Sequence, residues 1–357
     1  MYNQNDWFAC ELPWRVDDLT RRRPTQVGCY RRRAMNPLGR ILLSVMVVAL
    51  LAAVPAGAYG AHRHAKNCMP NPSRCGFPDV GKVGVQHGVK LKHVRGVVRL
   101  TRPGMVYKNR QVTGQILVEA TNVTIRNVRL INTDENYAIA MLPFGRTTGN
   151  AHLEHVEINL GRIGDRTGGD LYGIAFNGYT ANHVYFHNGS DCAGFGHNVV
   201  IKNSLCAVGP DHNGNGWPDG GHFVSSGYLN DDPSWCNSGN QHFDGFQSDG
   251  GSDIVLRHNT IRNPCSQTSA ILMSSNTDPI GNIRIVHNLL AGGGYTLYCG
   301  GDTRSDRITN EVVTGNRIAR TYWRKGGYYG PVAYCGNGYA DRWGHNVWDS
   351  TSSPLPR

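Results

Sequence analysis

What this chain has little of narrows its fold first. No segment between residues 95 and 348 keeps apolar residues at a 3.6-residue period over ten residues, which excludes a fold built on amphipathic helices. Hairpin signals at 8–12-residue spacing are missing too, and an antiparallel sandwich needs them. The longest charge-free apolar run, Ile41–Ala53, has thirteen residues, short of the ~20 that span a bilayer as a helix. Basic residues outnumber acidic ones, 36 to 26, yet no Lys/Arg stripe interleaves with aromatics, so a nucleic-acid partner is not expected. None of the ten cysteines has zinc-ribbon spacing.

The apolar run is flanked by Arg40 and by Pro55-Ala56-Gly57-Ala58. A positive flank, a short apolar core and a small-x-small end make a secretory signal peptide, with cleavage after Ala58 or Ala61. An uncleaved signal anchor is the alternative. The segment before it holds two arginine triplets, Arg21–Arg23 and Arg31–Arg33; translation from Met35 would leave an ordinary leader, and a twin-arginine signal is a second option. Residues 1–58 take with them eight of the 36 basic and four of the 26 acidic residues, leaving a net charge of +6. That modest excess suits an acidic substrate or cell-wall surface. No membrane attachment is expected after cleavage, and a monomer is.

Eight cysteines remain, and an even count in an exported chain points to disulfides. Proximity favours Cys68–Cys75 and Cys192–Cys206. Cys299 and Cys335 each sit in Tyr-Cys-Gly at the end of matching phrases; on adjacent rungs of a sheet they would be ~5 Å apart, within the ~4.4–6.8 Å a disulfide spans. Cys236–Cys265 completes the set.

A repeat decides the architecture. NVTIRNVRLIN (122–132) returns as NVVIKNSL (198–205), DIVLRHNTI (253–261), NIRIVHNLL (282–290) and EVVTGNRI (311–318). A second apolar phrase follows each time: YAIAM (137–141), YGIAF (172–176), SAILM (269–273), YTLYC (295–299) and PVAYC (331–335). One strand, a turn, another strand and a turn, every 26–36 residues, describe stacked rungs of a coiled parallel sheet. The asparagines at 127, 203, 259, 288 and 316 are read as ladder residues at tight corners, where Asn accepts the left-handed backbone and bonds the amide of the next rung. Asn122, formally a glycosylation sequon, is read structurally for the same reason. Strands over 253–257, 282–286 and 311–314 should pair in parallel. The expected organisation is a signal peptide with its extension (1–58), an N-terminal segment or cap (59–94), a right-handed parallel β-helix (95–348) and a tail (349–357).

The phrases NVTIRNVRLIN, DGFQSDGGSDIVLRHNTIRNP and NIRIVHNLLAGGGYTLYCGG resemble the right-handed parallel β-helix repeat proteins of the pectate-lyase-like superfamily, secreted bacterial members above all. The resemblance implies a polysaccharide lyase, glycosidase or uronate epimerase, or else a non-catalytic adhesin. The paired-aspartate and Gly-His-Gly pattern of the polygalacturonase branch does not map here; Cys192-Ala-Gly-Phe-Gly-His197 only brushes it.

The longest insertion, residues 211–249, is where function is sought. Asp211, Asn213, Asn215, Trp217 and Asp219 fall at positions 1, 3, 5, 7 and 9 of a calcium loop, with Gly216 at the sixth. His222, not Glu, stands at the twelfth. The loop therefore reads either as a calcium site, structural or catalytic, or as an Asx-rich turn without an ion. His242, Asp244, Gln247 and Asp249 follow, and in a strand His242 and Asp244 would share a face. A hydrolase needs two carboxylates, drawn from Asp219, Asp244 and Asp249. A lyase needs a base and a cation, drawn from His222, His242, Lys202, Arg257 or Tyr328 with calcium. Arg324, Lys325 and Tyr328, in TYWRKGGYYGP, suit sugar rings and carboxylates. The expectation is a secreted enzyme that cleaves a polysaccharide, with His242, Asp244, Asp249 and His222 catalytic. The alternative is a glycan-binding surface protein.

Overall fold

The computed structural model describes residues 67–133, 136–142, 149–161, 172–220, 228, 229, 231–237, 242–300, 308–335 and 342–356. The segment expected to be a signal peptide and His222 lie outside them. The strands form one coiled sheet in which every pairing between strands is parallel, a right-handed parallel β-helix. The first repeated phrase makes one face: β1 (Lys92–Leu100), β2 (Val106–Val118), β3 (Thr124–Asn132), β5 (Ala151–Asn159), β7 (Tyr179–Asn182), β10 (Val199–Lys202), β13 (Gly251–Arg257), β16 (Ile280–Val286), β19 (Ile308–Thr314) and β22 (Arg342–Gly344). After a sharp corner comes a second face: β8 (Tyr185–Gly189), β11 (Leu205–Val208), β14 (Thr260–Asn263), β17 (Leu289–Gly292), β20 (Arg317–Ala319) and β23 (Val347–Trp348). The second phrase makes a third: β4 (Tyr137–Met141), β6 (Tyr172–Ala175), β9 (Asp191–Gly194), β12 (Phe246–Ser248), β15 (Ile271–Met273), β18 (Tyr295–Tyr298) and β21 (Gly330–Ala333).

The 29- and 28-residue spacing becomes register. Leu256 pairs with Ile285 and Ile285 with Val313, and all three are fully buried. Like residues thus stack on like along the core, each worth ~1.5–3 kcal/mol of transfer energy.

The corner between the first and second faces corrects the asparagine reading. The left-handed residue is the one before the ladder asparagine: His258, His287, Gly315 and His345, with φ of 55°, 54°, 69° and 55°. His155 and His183 hold the same position on earlier rungs, as do Asn127 and Asn203, so these two asparagines are one residue out of step with Asn259. Gly315 leaves room for the His287 ring, from which a Cβ would stand 2.6 Å. The ladder proper is Asn259, Asn288, Asn316 and Asn346, all buried. Each Oδ1 from Asn288 on accepts the backbone N–H of the preceding ladder asparagine at 3.0 Å. Each Nδ2 donates to a main-chain carbonyl of the preceding rung at 2.8–3.0 Å. A buried corner that exposes its backbone groups is thereby satisfied within the fold.

The N-terminal segment is a strap and not an end cap. From residue 67 it runs back along the second face, rung by rung. Met69 N–H donates to Asp349, the Gly76 carbonyl bonds His258 Nε2 at 2.9 Å, Pro78 O accepts Thr260 Oγ1, and Gly84 N–H reaches His183 O. Gln86 and Asn127 close a reciprocal amide pair. Met69 and Phe77 bury Leu289, Ala291 and Tyr322, and Val83 covers Tyr185, Leu205 and Ala207. The tail is anchored as well: Arg317 Nε bonds the Asp349 carboxylate at 2.8 Å with both groups buried. Four disulfides form, Cys68–Cys75, Cys192–Cys206, Cys236–Cys265 and Cys299–Cys335, the four pairs expected. The Cys299–Cys335 α-carbons are 5.0 Å apart, as stacked rungs require.

Candidate functional site

The third face turns Ile139, Ile174, Phe246, Ile271 and Leu297 into the core, and its outer side carries tyrosines. At the end nearer the N-terminus Tyr137 and Tyr172 stack on adjacent rungs at 6.0 Å, with Phe176 edge-on to both. At the other end Tyr295 meets Tyr298 at 5.5 Å and Tyr329 at 5.7 Å, and Tyr328 adjoins Tyr329 at 4.9 Å. Tyr328 and Tyr329 are 47% and 58% exposed.

Polar groups lie between the two aromatic patches. Tyr172 OH donates to Gln247 Oε1, and Gln247 Nε2 to Asp249 Oδ2, each at 3.3 Å. Asp244 is fully buried one layer below. Its Oδ1 accepts Ser269 Oγ at 2.6 Å, and its N–H donates to Asp191 Oδ1 at 3.0 Å. Burial, and then the Asp244 carboxylate, push the Tyr298 phenol above its ordinary value, so this ring remains a hydrogen-bond donor.

Two expectations change here. Residues 242–245 precede β12 and are not strand, so the two-residue alternation that would align His242 with Asp244 does not operate. His242 is half-buried while Asp244 is fully enclosed, which removes Asp244 from the groove surface. The Asp211–Asp219 loop meets this segment through Trp235, which donates to Asp219 O at 2.8 Å and stands edge-on to Phe243 at 5.5 Å. It seats on the second face, where Tyr185 OH bonds Asp211.

The oxygens expected to hold calcium are turned onto the loop itself. Asp211 accepts the N–H groups of Asn215 and Gly216, Asn213 accepts that of Asn215, and Asn215 accepts that of Trp217. Asp219 pairs with His212. Beneath Trp217 lies the buried Arg262 guanidinium, 3.9 Å from the ring centroid and bonded to Gly216 O. These are consecutive Asx turns, and a cation that the chain itself supplies lies against them. Arg324 and Lys325 are exposed, with Arg324 over the Tyr228 ring at 5.0 Å; Tyr328 is the member of this cluster that joins the tyrosine face.

No family model, curated protein or solved structure matches the chain.

The sequence reading missed the far edge of this face. His197 Nδ1 accepts the Ser252 N–H at 3.1 Å, which leaves the ring proton on Nε2, 3.8 Å from Asp278 Oδ2. Asp249 is tied to the same edge, since its carbonyl accepts both the N–H and the hydroxyl of Thr277. The signals were weak ones: one of three Gly-His dipeptides, an aspartate in a polar loop, and a tyrosine opening the phrases at 137, 172 and 295.

A cleft of roughly 700 Å³ opens between the strap and the rungs of β2, β3, β5 and β8, lined by His87, His93, Arg129, Glu157, Tyr185 and His187. Its charges are internally matched. Arg129 Nε bonds Glu157 at 2.8 Å, and His187 Nε2 lies 3.6 Å from the same carboxylate. Burial by itself would raise the Glu157 carboxyl, but His187 and Arg129 together outweigh it and hold it below the usual glutamate range. A carboxyl depressed on folding contributes stability above its unfolded pKa and loses it as pH falls through the folded value. The melting-temperature gap between wild type and Glu157→Gln should be widest near neutral pH and close below pH ~4. A gap constant from pH 3 to 7 would contradict this.

Proposed function

We propose that this chain is a secreted polysaccharide-active protein of the pectate-lyase-like β-helix type. It seats a glycan along the tyrosine face and cleaves it beside Asp249. The observation that carries the reading is the array of half-exposed tyrosines on one rigid sheet. From β4 to β21 it covers six rung steps, about 29 Å at ~4.8 Å each, interrupted by the Tyr172–Gln247–Asp249 chain. Flat rings with a few placed polar groups suit stacked sugar faces. Asp249, His197 and Asp278 are the accessible acid–base groups beside it, and the buried Asp244 and Asp191 set the layer beneath. Four disulfides suit an oxidising compartment. No helix among the described residues is long and apolar enough to cross a membrane. The enclosure of Asp244 favours a second reading, glycan binding without cleavage.

The test is a screen of acidic and neutral polysaccharides for two signals. A lyase gives an unsaturated product absorbing in the ultraviolet, and a hydrolase only new reducing ends. Asp249→Asn should lower turnover by at least ~100-fold, the scale of a lost general acid or base, with glycan affinity nearly unchanged. Tyr298→Ala should weaken binding itself. Chelator should alter neither signal. Binding to a glycan without product selects the second reading, and no binding to any glycan overturns both.

A further inference from the structure

At the corner between the first and second faces, two adjacent rungs bring three ligating side chains together. Glu154 and His155 stand at the left-handed bend in the middle of β5, and His183 follows β7, in register with His155. His155 Nε2 lies 3.9 Å and His183 Nδ1 4.0 Å from Glu154 Oε1, and one ligating atom from each of the three falls within 4.8 Å of the others. The imidazoles are nearly parallel, 12° between planes with centroids 4.8 Å apart.

The fold does not require imidazoles here. The same left-handed corner is filled by Asn127, Asn203 and Gly315 on other rungs. His258, a further occupant, engages both ring nitrogens, with Asn203 Oδ1 and Gly76 O. His183 differs: its Nδ1 is buried and has no hydrogen-bond partner. The carboxylate opposite is already aimed, since Asn182 Nδ2 donates to Glu154 Oε1 at 3.1 Å and Asn203 Nδ2 to Asn182 Oδ1 at 2.8 Å. Such outer partners orient first ligands in metal sites.

We infer that Glu154, His155 and His183 bind a zinc-like first-row divalent cation, with the remaining coordination positions open to water. Two imidazoles and a carboxylate are a borderline donor set that suits zinc, copper or nickel better than calcium or magnesium. Bonds of ~2.0–2.2 Å in tetrahedral geometry bring donor atoms to about 3.3 Å. Closing from 4.8 Å takes up to ~1.5 Å of movement and turns the two stacked rings out of parallel, which rotations about χ1 and the soft χ2 of the partly exposed histidines supply. Glu154 and His183 keep 42% and 34% of their side-chain surface exposed, so an ion can enter. The site is separate from the tyrosine face and does not depend on the function proposed for it.

The experiment is calorimetric titration of the metal-stripped, disulfide-intact full chain with Zn²⁺, alongside Co²⁺ absorption spectra. One tight site is expected, with a d–d spectrum showing nitrogen and oxygen ligands. The double variant His155→Asn/His183→Asn keeps the corner, because asparagine already serves it at 127 and 203. Its metal-free melting temperature should match wild type while affinity falls by at least about tenfold. Glu154→Gln should give a smaller loss. An isotherm unchanged in the double variant would assign the zinc to other histidines, and absence of any binding at millimolar Zn²⁺ would refute the site; either result overturns the inference.

Discussion

Asn288→Ala is expected to cost about 3–5 kcal/mol of stability. The side chain accepts the Asn259 N–H and Nδ2 through Oδ1, and gives Nδ2 to Leu256 O and to Asn316 Oδ1. Truncation leaves a buried donor and a buried acceptor on the main chain without partners, at ~1–3 kcal/mol each, plus the lost amide contacts. No water can replace them, because Asn259 and Asn288 are both fully buried. A second amide stack serves as the control. Asn310 Nδ2 donates to Asn282 Oδ1 and Asn282 Nδ2 to Asp253 Oδ1, on an exposed edge. Asn310→Gly there, which removes the amide but keeps the left-handed backbone (φ 53°), should stay within ~0.5 kcal/mol, since surface positions are rehydrated on truncation. Urea midpoints followed by far-ultraviolet circular dichroism compare the two. A repeat array need not unfold in one step, so the midpoint of the transition and not an extrapolated energy is the quantity to read. Equal losses at both positions would show that the ladder does not derive its strength from burial.

Arg262→Met should be comparably costly and should release the strap. The guanidinium is fully buried, donates to Gly216 O and Met69 O, lies over Trp217, and has Asp79 at 3.7 Å. One side chain thus clamps the strap, the Asp211–Asp219 loop and β14. Removing one member of a buried charged network costs ~3–5 kcal/mol, because its partners stay desolvated. Here those partners are two carbonyls and the acidic groups Asp79 and Asp211, which face Arg262. Arg262→Lys should not rescue it: a single ammonium cannot stack on the indole and reach both carbonyls. Limited trypsin digestion gives the readout, with new cleavage at Arg74 and Lys82 in the strap and a lowered melting temperature. A strap that stays resistant in Arg262→Met would mean the disulfide Cys68–Cys75 and the apolar contacts of Met69 and Phe77 suffice alone.

Much of the coil was legible because its periodicity is a local property repeated. Aliphatic residues at alternate positions, returning after 28 or 29 residues, predict both the strand and its neighbour, and the register Leu256–Ile285–Val313 follows from that spacing alone. Cysteines ending two matching phrases were placed by the same logic. The corner was read with the right chemistry on the wrong residue. Left-handed tolerance and amide stacking both favour asparagine, and only the backbone shows that they are divided between His258 and Asn259, His287 and Asn288.

The candidate functional surface was legible only in pieces. Gln247, Asp249 and Tyr328 do come to one face, and the tyrosines that join them were visible as the first letters of the second phrase. Asp244 was misplaced, and the Asp211 loop was left open between two readings, because composition cannot tell an acid that faces solvent from one that satisfies a Ser269 hydroxyl or its own loop amides.

The amino-acid sequence by itself determined the coil, its rung length and the Cys299–Cys335 disulfide, since each depends on residues that repeat at a fixed interval and so meet their equivalents whatever the loops do. Which outer face is covered and which is open was decided only in the tertiary structure. The strap and the long insertion have no repeat to align them, and their places depend on where buried groups such as Arg262 and Asp349 find partners some 200 residues away in the chain, as between Met69 and Arg262 (193) or Met69 and Asp349 (280). That pairing closes the second face and leaves the third, with its tyrosines, to solvent.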